Sequence, residues 1–230
     1  MIVGNGLLAK TFSKYATSED IIIFASGVSD SDETKEENFD REKQLLLDTI
    51  KENPNSLIVY FSSCDVIYSD IIKKPYYEHK LEMENIIQKL SKYYIFRLPQ
   101  VIGKSCNKKS LINYFIDSIQ EYKAFIVFEK AYKNIIAIQE VYNMIDYLLE
   151  NKIMTNQITN IINDNYYSVL EIINILERLI GKKALVSFSN TGFKPSYYKS
   201  EIKGLEIDFT KNYLEHALIL NYFSKEEDEK

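Results

Sequence analysis

Short apolar runs alternate with longer amphipathic stretches through the first hundred residues. Met1 to Val3 reads as a strand, Gly4-Asn5-Gly6 as a turn, and Leu7 to Tyr15 as a helix. Ile21 to Ala25 is a buried strand, followed by Ser26-Gly27. Thr34-x-x-Glu37 has the form of a capping box and opens a helix ending near Glu52, where Asn53-Pro54-Asn55 breaks it. Leu57 to Phe61 is a continuous apolar and aromatic run, the pattern of a strand covered on both faces. Pro75 suits the first turn of a helix running to about Leu90, and Tyr94 to Leu98 is another strand, stopped by Pro99. This alternation predicts a parallel sheet with helices on both faces, joined by right-handed crossovers: a Rossmann-like, doubly wound α/β fold.

The second half reads differently. Helices are predicted at Ser110 to Glu121, at Gln139 to Glu150, and from the Ser168-x-x-Glu171 cap to Gly181. Short strands are predicted at Ala124 to Phe128, Asn134 to Ala137 and Gln157 to Ile162. No long linker or internal repeat interrupts the chain. The expected organisation is a reduced Rossmann core over 1–103, with 104–230 a mixed region forming a small C-terminal α/β lobe packed on it.

Composition narrows the class. The 230 residues are 46% apolar and 27% charged, enough for one sizeable core and unlike a disordered chain. A net charge of -5 argues against a nucleic-acid groove. No apolar run approaches the roughly 20 residues of a membrane span, and no signal-peptide pattern opens the chain. The two cysteines, Cys64 and Cys106, suit a reducing compartment, so a cytoplasmic location is expected. Two histidines, His79 and His216, without Cys/His spacing give no zinc site, and no metal is expected. The tail 225–230 (KEEDEK) reads as a solvated charge run.

Two constellations carry chemistry. Gly4-Asn5-Gly6-Leu7-Leu8-Ala9 matches G-x-G-x-x-A between a strand and a helix, where glycine permits unusual dihedrals and close approach of a pyrophosphate to the helix N-terminus. No Asp or Glu ends the second strand to bind an adenosine ribose. Tyr76 and Lys80 sit four apart on one helix face, and an ammonium beside a phenol would lower its pKa toward acid–base use. Phe61-Ser62-Ser63-Cys64 ends the preceding strand, the side where open α/β sheets bind ligands, and offers a hydroxyl to a reacting oxygen.

Taken in order, these pieces resemble an extended short-chain dehydrogenase/reductase of the NAD-dependent epimerase/dehydratase group that acts on nucleotide sugars. They are VGNGLLA, IIFASG at 22–27, ENFDREKQLL from Glu37, YFSSCDVIY from Tyr60, Tyr76-x-x-x-Lys80 and RLPQVIG from Arg97. Lys133 to Ile136 with Gln139-Glu140-Val141, and Ser168 to Glu171, continue the likeness over nearly the whole chain. The resemblance implies that NAD(P)(H) lies along Gly4, Asn5, Gly6, Leu7, Leu8 and Ala9, bordered by Ala25, Ser26 and Gly27. It implies Tyr76 as acid/base, Lys80 on the nicotinamide ribose, and Ser63 or Cys64 polarising the substrate oxygen. Anchoring on the strand selects Ser63; counting back from Tyr68 selects Cys64. Gln100, Lys133 and Arg97 could reach a nucleotide-sugar phosphate. Relatives of this kind often pair through the two helices opening near Thr34 and Pro75, so a homodimer is expected.

The chain departs from the family in one large respect. The strand at Ile21 matches the family's fourth, so about two βα units are missing after Tyr15, and the strands at Met1 and Ile21 should be neighbours. Cys64-Asp65-Val66 offers one acid at most, which disfavours dehydration. Two functions are therefore carried forward. One is an NAD(P)-dependent reductase or epimerase on a nucleotide-activated sugar in polysaccharide biosynthesis. The other is a catalytically silent Rossmann-like protein that binds a nucleotide or a partner.

Overall fold

A computed structural model describes residues 1–104, 110–207, 209–210 and 212–224. The charge run at 225–230 and Cys106 lie outside the described residues. In chain order the elements begin with β1 (Ile2–Val3), α1 (Leu7–Thr11), a 3-10 turn (Ser13–Tyr15), β2 (Ile21–Phe24), α2 (Glu36–Glu52) and β3 (Leu57–Ser63). A second 3-10 turn (Cys64–Tyr68), α3 (Pro75–Ile87), β4 (Tyr93–Leu98), β5 (Gln100–Ile102), α4 (Leu111–Gln120) and β6 (Phe125–Phe128) follow. The chain continues through β7 (Tyr132–Ala137), α5 (Ile138–Glu150), β8 (Ile158–Asn160), β9 (Tyr166–Ser168), α6 (Val169–Ile180), β10 (Val186–Ser189) and α7 (Tyr213–Leu218).

These elements form two compact units. The first comprises 1–99, 139–161 and 197–205; the second comprises 100–138, 162–196 and 206–230. Two stretches beyond residue 103 thus belong with the Rossmann core, because α5 and β8 supply it with a helix and a strand.

The first unit carries a five-stranded parallel sheet in the order β1-β2-β3-β4-β8. The predicted adjacency of β1 and β2 is present, with Ile2 opposite Ile23 and Val3 opposite Phe24. Strand alternation divides the sheet into two faces. Ile22, Phe24, Ile58, Tyr60, Tyr93 and Ile95 pack with Leu46 of α2 and with Met83 and Ile87 of α3. Phe61 points the other way and meets Phe12, which in turn lies 5.4 Å from the ring of Tyr142 on α5. Tyr15 is fixed on this second face by a 2.7 Å hydrogen bond from its hydroxyl to Asp146. Helices therefore cover both faces, as the sequence predicts.

The winding differs from the expectation in one point. Strand order advances without reversal from β1 to β3, yet α1 with Phe12 crosses on one face and α2 on the other. Two crossovers that advance in the same direction on opposite faces have opposite hands, so one of them is left-handed. About 98% of such connections are right-handed. The loss of intermediate βα units expected from the sequence would give this winding, by joining the end of α1 to a strand on the other side of β1. β1, only two residues long, lies at the sheet edge.

The expected capping box at Thr34 is not formed. The helix starts at Glu36 with Lys35 as its cap, and the Glu33 carboxylate accepts the backbone N–H groups of Thr34 and Lys35, both at 2.9 Å. The second predicted cap holds: the Ser168 hydroxyl accepts from the Glu171 N–H, and Gly181 ends α6 in the left-handed region at φ 74°.

The second unit joins β5, β7 and β9 in one sheet and pairs β6 with β10. Its core is formed by Ile112, Phe115, Ile119, Ile172, Leu176 and Leu218. Buried Asn134 and Asn163 cross-link its loops through the Asn134 amide to the Asn163 carbonyl at 2.7 Å and the Asn163 amide to the Ile135 carbonyl at 2.8 Å. No helix among the described residues is long and apolar enough to cross a membrane.

Candidate active site at the ends of β1, β2 and β3

The glycine turn joins β1 to α1, and its two glycines do different work. Gly4 has φ +127°, and a Cβ there would stand 2.4 Å from the Ala25 carbonyl oxygen. It is required by the chain itself, to let the turn pass over the end of β2. Gly6, the cap of α1, has an ordinary φ of -77° and nothing within 4 Å of a Cβ position. The sequence expectation that both glycines serve unusual dihedrals is therefore corrected for Gly6. Its missing side chain instead leaves open space beside a helix start that no side chain caps. Asn5 is exposed, Leu7 and Leu8 are half-buried, and Ala25, Ser26 and Gly27 run half-buried out of β2.

Tyr76 is buried on the first turn of α3, and the Ser63 side chain at the end of β3 acts on its hydroxyl. Ser63 also accepts the N–H of Asp65 at 3.2 Å, which holds the following turn in place. Cys64 is turned elsewhere. Its thiol donates to the Arg97 carbonyl at 3.3 Å, and burial pushes the thiol well above its usual pKa. Of the two alternatives left open by the sequence, Ser63 acts on the Tyr76 hydroxyl and the Cys64 thiol is bonded to the Arg97 carbonyl.

Lys80 lies one helical turn on, with Nζ 5.7 Å from the Tyr76 ring centroid. It is 2% exposed, and Nζ lies 3.0 Å from Glu42 Oε1 and 3.0 Å from the Tyr60 hydroxyl. Glu42 is 0% exposed and gathers four polar partners. Oε1 takes Tyr60 and Lys80, while Oε2 takes the Val28 N–H at 2.6 Å and faces His79 Nε2 at 3.0 Å. Despite burial, the Lys80 charge and these hydrogen bonds hold the Glu42 carboxyl down at about 2. Gly27 closes over the pair, since a Cβ there would fall 2.7 Å from Lys80 Nζ and 3.1 Å from Glu42 Oε1.

This cluster overturns one expectation. The Tyr76 phenol is pushed up, not down: burial is the main cause, and the Glu42 and Asp65 carboxylates add to it, against a smaller opposing effect from Ser63. A lone ammonium would favour phenolate; an ammonium paired with a carboxylate does not.

Sequence reasoning missed Glu42. A signal was present, because Phe39, Glu42, Leu46 and Thr49 form the buried stripe of α2 and an acid stands in it. Asp65 is tied to Tyr197 by a 2.5 Å hydrogen bond from the Tyr197 hydroxyl. Arg97 is taken out of consideration as a phosphate ligand by a two-pronged contact with buried Glu84, at 2.8 and 2.6 Å. Gln100 and Lys133 lie on β5 and β7 of the second unit.

No family model matches the sequence, and no curated protein matches it. Solved structures match in number. The PbgP3 protein of Burkholderia pseudomallei aligns with TM-score 0.69 at 17% identity, over 93% of this chain and 79% of that one. RMD from Pseudomonas aeruginosa, complexed with NADPH, aligns with TM-score 0.64 at 15% identity, over 86% of this chain and 79% of that one. dTDP-glucose 4,6-dehydratase from Bacillus anthracis, in complex with NAD, aligns with TM-score 0.63 at 16% identity, over 86% of this chain and 70% of that one. At these identities the likeness is one of fold. The chain shares the Rossmann-like fold of these structures, with a second α/β unit, in a shorter form.

Proposed function

We propose that the chain is an NAD(P)(H)-dependent oxidoreductase or epimerase of nucleotide-activated sugars, working as a proton donor to a sugar carbonyl under reduction. The observation that carries this reading is the buried Tyr76 with Lys80 Nζ 5.7 Å from its ring, beside Ser63 at the carboxyl end of β3, in a fold whose solved relatives include complexes with NAD and with NADPH.

Three features of the chain bear on how it would hold the cofactor. The open space at Gly6 beside the uncapped start of α1 fits a pyrophosphate. The ends of β1 and β2 would border it through Ala25 and Ser26. The adenosine end is reduced, because β1 is the sheet edge and among the described residues no further strand supplies a ribose-binding acid. When bound, the nicotinamide would supply the hydride.

The chain's own residues do the rest. Ser63 hydrogen-bonds the reacting oxygen and fixes the Tyr76 hydroxyl. Tyr76, kept protonated by its surroundings, passes its proton to that oxygen as alkoxide character develops. A phenol held protonated suits reduction better than the base-initiated oxidation of an alcohol. Removing the phenolic oxygen in Tyr76→Phe keeps ring packing and should lower turnover by about 10²–10⁴-fold. The test is mass spectrometry of nucleotide sugars incubated with NADH or NADPH, read for mass gain or isomer change. Full turnover by Tyr76→Phe on a substrate so found would refute the assignment.

One observation favours the second reading, a catalytically silent nucleotide- or partner-binding protein: Lys80 is already engaged by Glu42 and Tyr60. Binding of cofactor without conversion of any nucleotide sugar in that screen would select it.

A further inference from the structure

We infer that Glu42 is a positioning residue of this site: its buried carboxylate ties α2 to α3, holds the Lys80 ammonium beneath Tyr76, and cancels its charge there. The role rests on the reading of Tyr76 as proton donor and extends it to a residue on a different helix.

Four contacts define the device. The Glu42 carboxylate accepts from Tyr60 at 2.8 Å and Val28 at 2.6 Å, and meets Lys80 and His79 at 3.0 Å each. Each oxygen has two partners, so the group is fully satisfied and cannot swing toward a ligand. Lys80 in turn bridges Glu42 and the Tyr60 hydroxyl, directly below the Tyr76 ring. Gly27 admits the pair by lacking a side chain. A carboxylate of purely structural use on α2 would need none of this arrangement at the catalytic helix. An apolar residue would fill the stripe between Phe39 and Leu46 at lower desolvation cost.

The groups facing Tyr76 are Lys80 and Tyr77 on its own helix, Glu42 on α2, Ser63 and Tyr60 on β3, and Asp65 on the turn after β3. Lys80 is the cation of this set. With Glu42 in place its effect at the phenol is offset, and Tyr76 remains a neutral donor through the physiological range. With Glu42 neutral, the ammonium acts on the phenol unopposed.

The experiment is a ¹³C NMR titration of protein labelled at tyrosine Cζ, with Tyr76→Phe to assign the resonance. It reads neither cofactor nor substrate, so its result is separate from whether the chain is an enzyme. In the unaltered protein Tyr76 should not titrate below pH 11. In Glu42→Gln it should titrate at least one pH unit lower than in the unaltered protein, and in Glu42→Gln/Lys80→Met that downward shift should disappear. Tyr167, in the second unit, serves as the unmoved control. An unchanged or upward shift in folded Glu42→Gln overturns the proposal. Should that variant fail to fold, the unaltered protein decides: titration of Tyr76 below pH 11 means that Lys80 acts uncancelled and overturns it, and persistence of the neutral phenol to pH 11 supports it.

Discussion

The Glu42–Lys80 pair makes a quantitative demand on stability. Replacing Glu42 by Gln leaves the Lys80 ammonium buried without its counter-charge, a change that costs about 3–5 kcal/mol in comparable pairs. The demand also has a pH signature. The Glu42 carboxyl is lowered from 4.5 to about 2 in the folded chain, a displacement corresponding to about 3 kcal/mol of stability. Because the folded value is depressed, that contribution is complete above pH 4.5 and is lost as the pH falls toward 2. By pH 3.5, roughly 1.4 kcal/mol of it is gone. Urea unfolding of the unaltered protein and Glu42→Gln at pH 7 and pH 3.5 measures this, since the other carboxylates are common to both and cancel in the difference. The gap between the two proteins should be about 3–5 kcal/mol at pH 7 and narrower by ~1.4 kcal/mol at pH 3.5. A gap that is constant or wider in acid would refute the ion-pair account of Glu42.

Further outcomes follow from the same geometry. Ser63→Ala should lower turnover by about 10–10³-fold, whereas Cys64→Ala should leave it within a few-fold, because the thiol is bonded to the Arg97 carbonyl; the opposite ranking in steady-state kinetics would reinstate Cys64. Gly4→Ala should destabilise by roughly 2 kcal/mol or more, from left-handed strain and the clash with Ala25, while Gly6→Ala should melt within a few degrees of the unaltered protein. Equal melting temperatures for the two glycine variants would contradict that division of labour. Pairing through α2 and α3 remains a proposal. Their exposed positions include Asp40, Gln44, Asp48, Glu78 and Glu82, with Leu47 among them, so such a dimer sets like charges together and should strengthen as salt rises in sedimentation velocity; a salt-independent dimer would place the interface elsewhere.

The parallel core was legible because its signals are local and repeated. Apolar runs at Ile21, Leu57 and Tyr94 became β2, β3 and β4, and the deletion inferred from spacing put β1 beside β2. Serine at 168 and glycine at 181 marked both ends of α6, since a cap hydroxyl and a left-handed stop are chemistry of the residue itself. What was missed lacks such local marks. β5, β9 and β10 are three or four residues long and are defined by their partners. The left-handed crossover follows from which faces two helices cover, a relation between elements far apart in sequence. At the site, the Tyr76–Lys80 spacing was readable, but its electrostatics were not. The sign of the Tyr76 shift depends on Glu42, thirty-four residues upstream, and only the packing of α2 against α3 brings it there.

The most direct measurement is equilibrium binding of NADH and NADPH to the unaltered protein, followed by cofactor fluorescence and by calorimetry. The account predicts saturable binding of at least one of them below millimolar concentration, weakened at least tenfold in Gly6→Val, whose side chain fills the open space beside α1 while the fold is kept. Absence of binding by either cofactor at millimolar concentration, or binding indifferent to Gly6→Val, would contradict it.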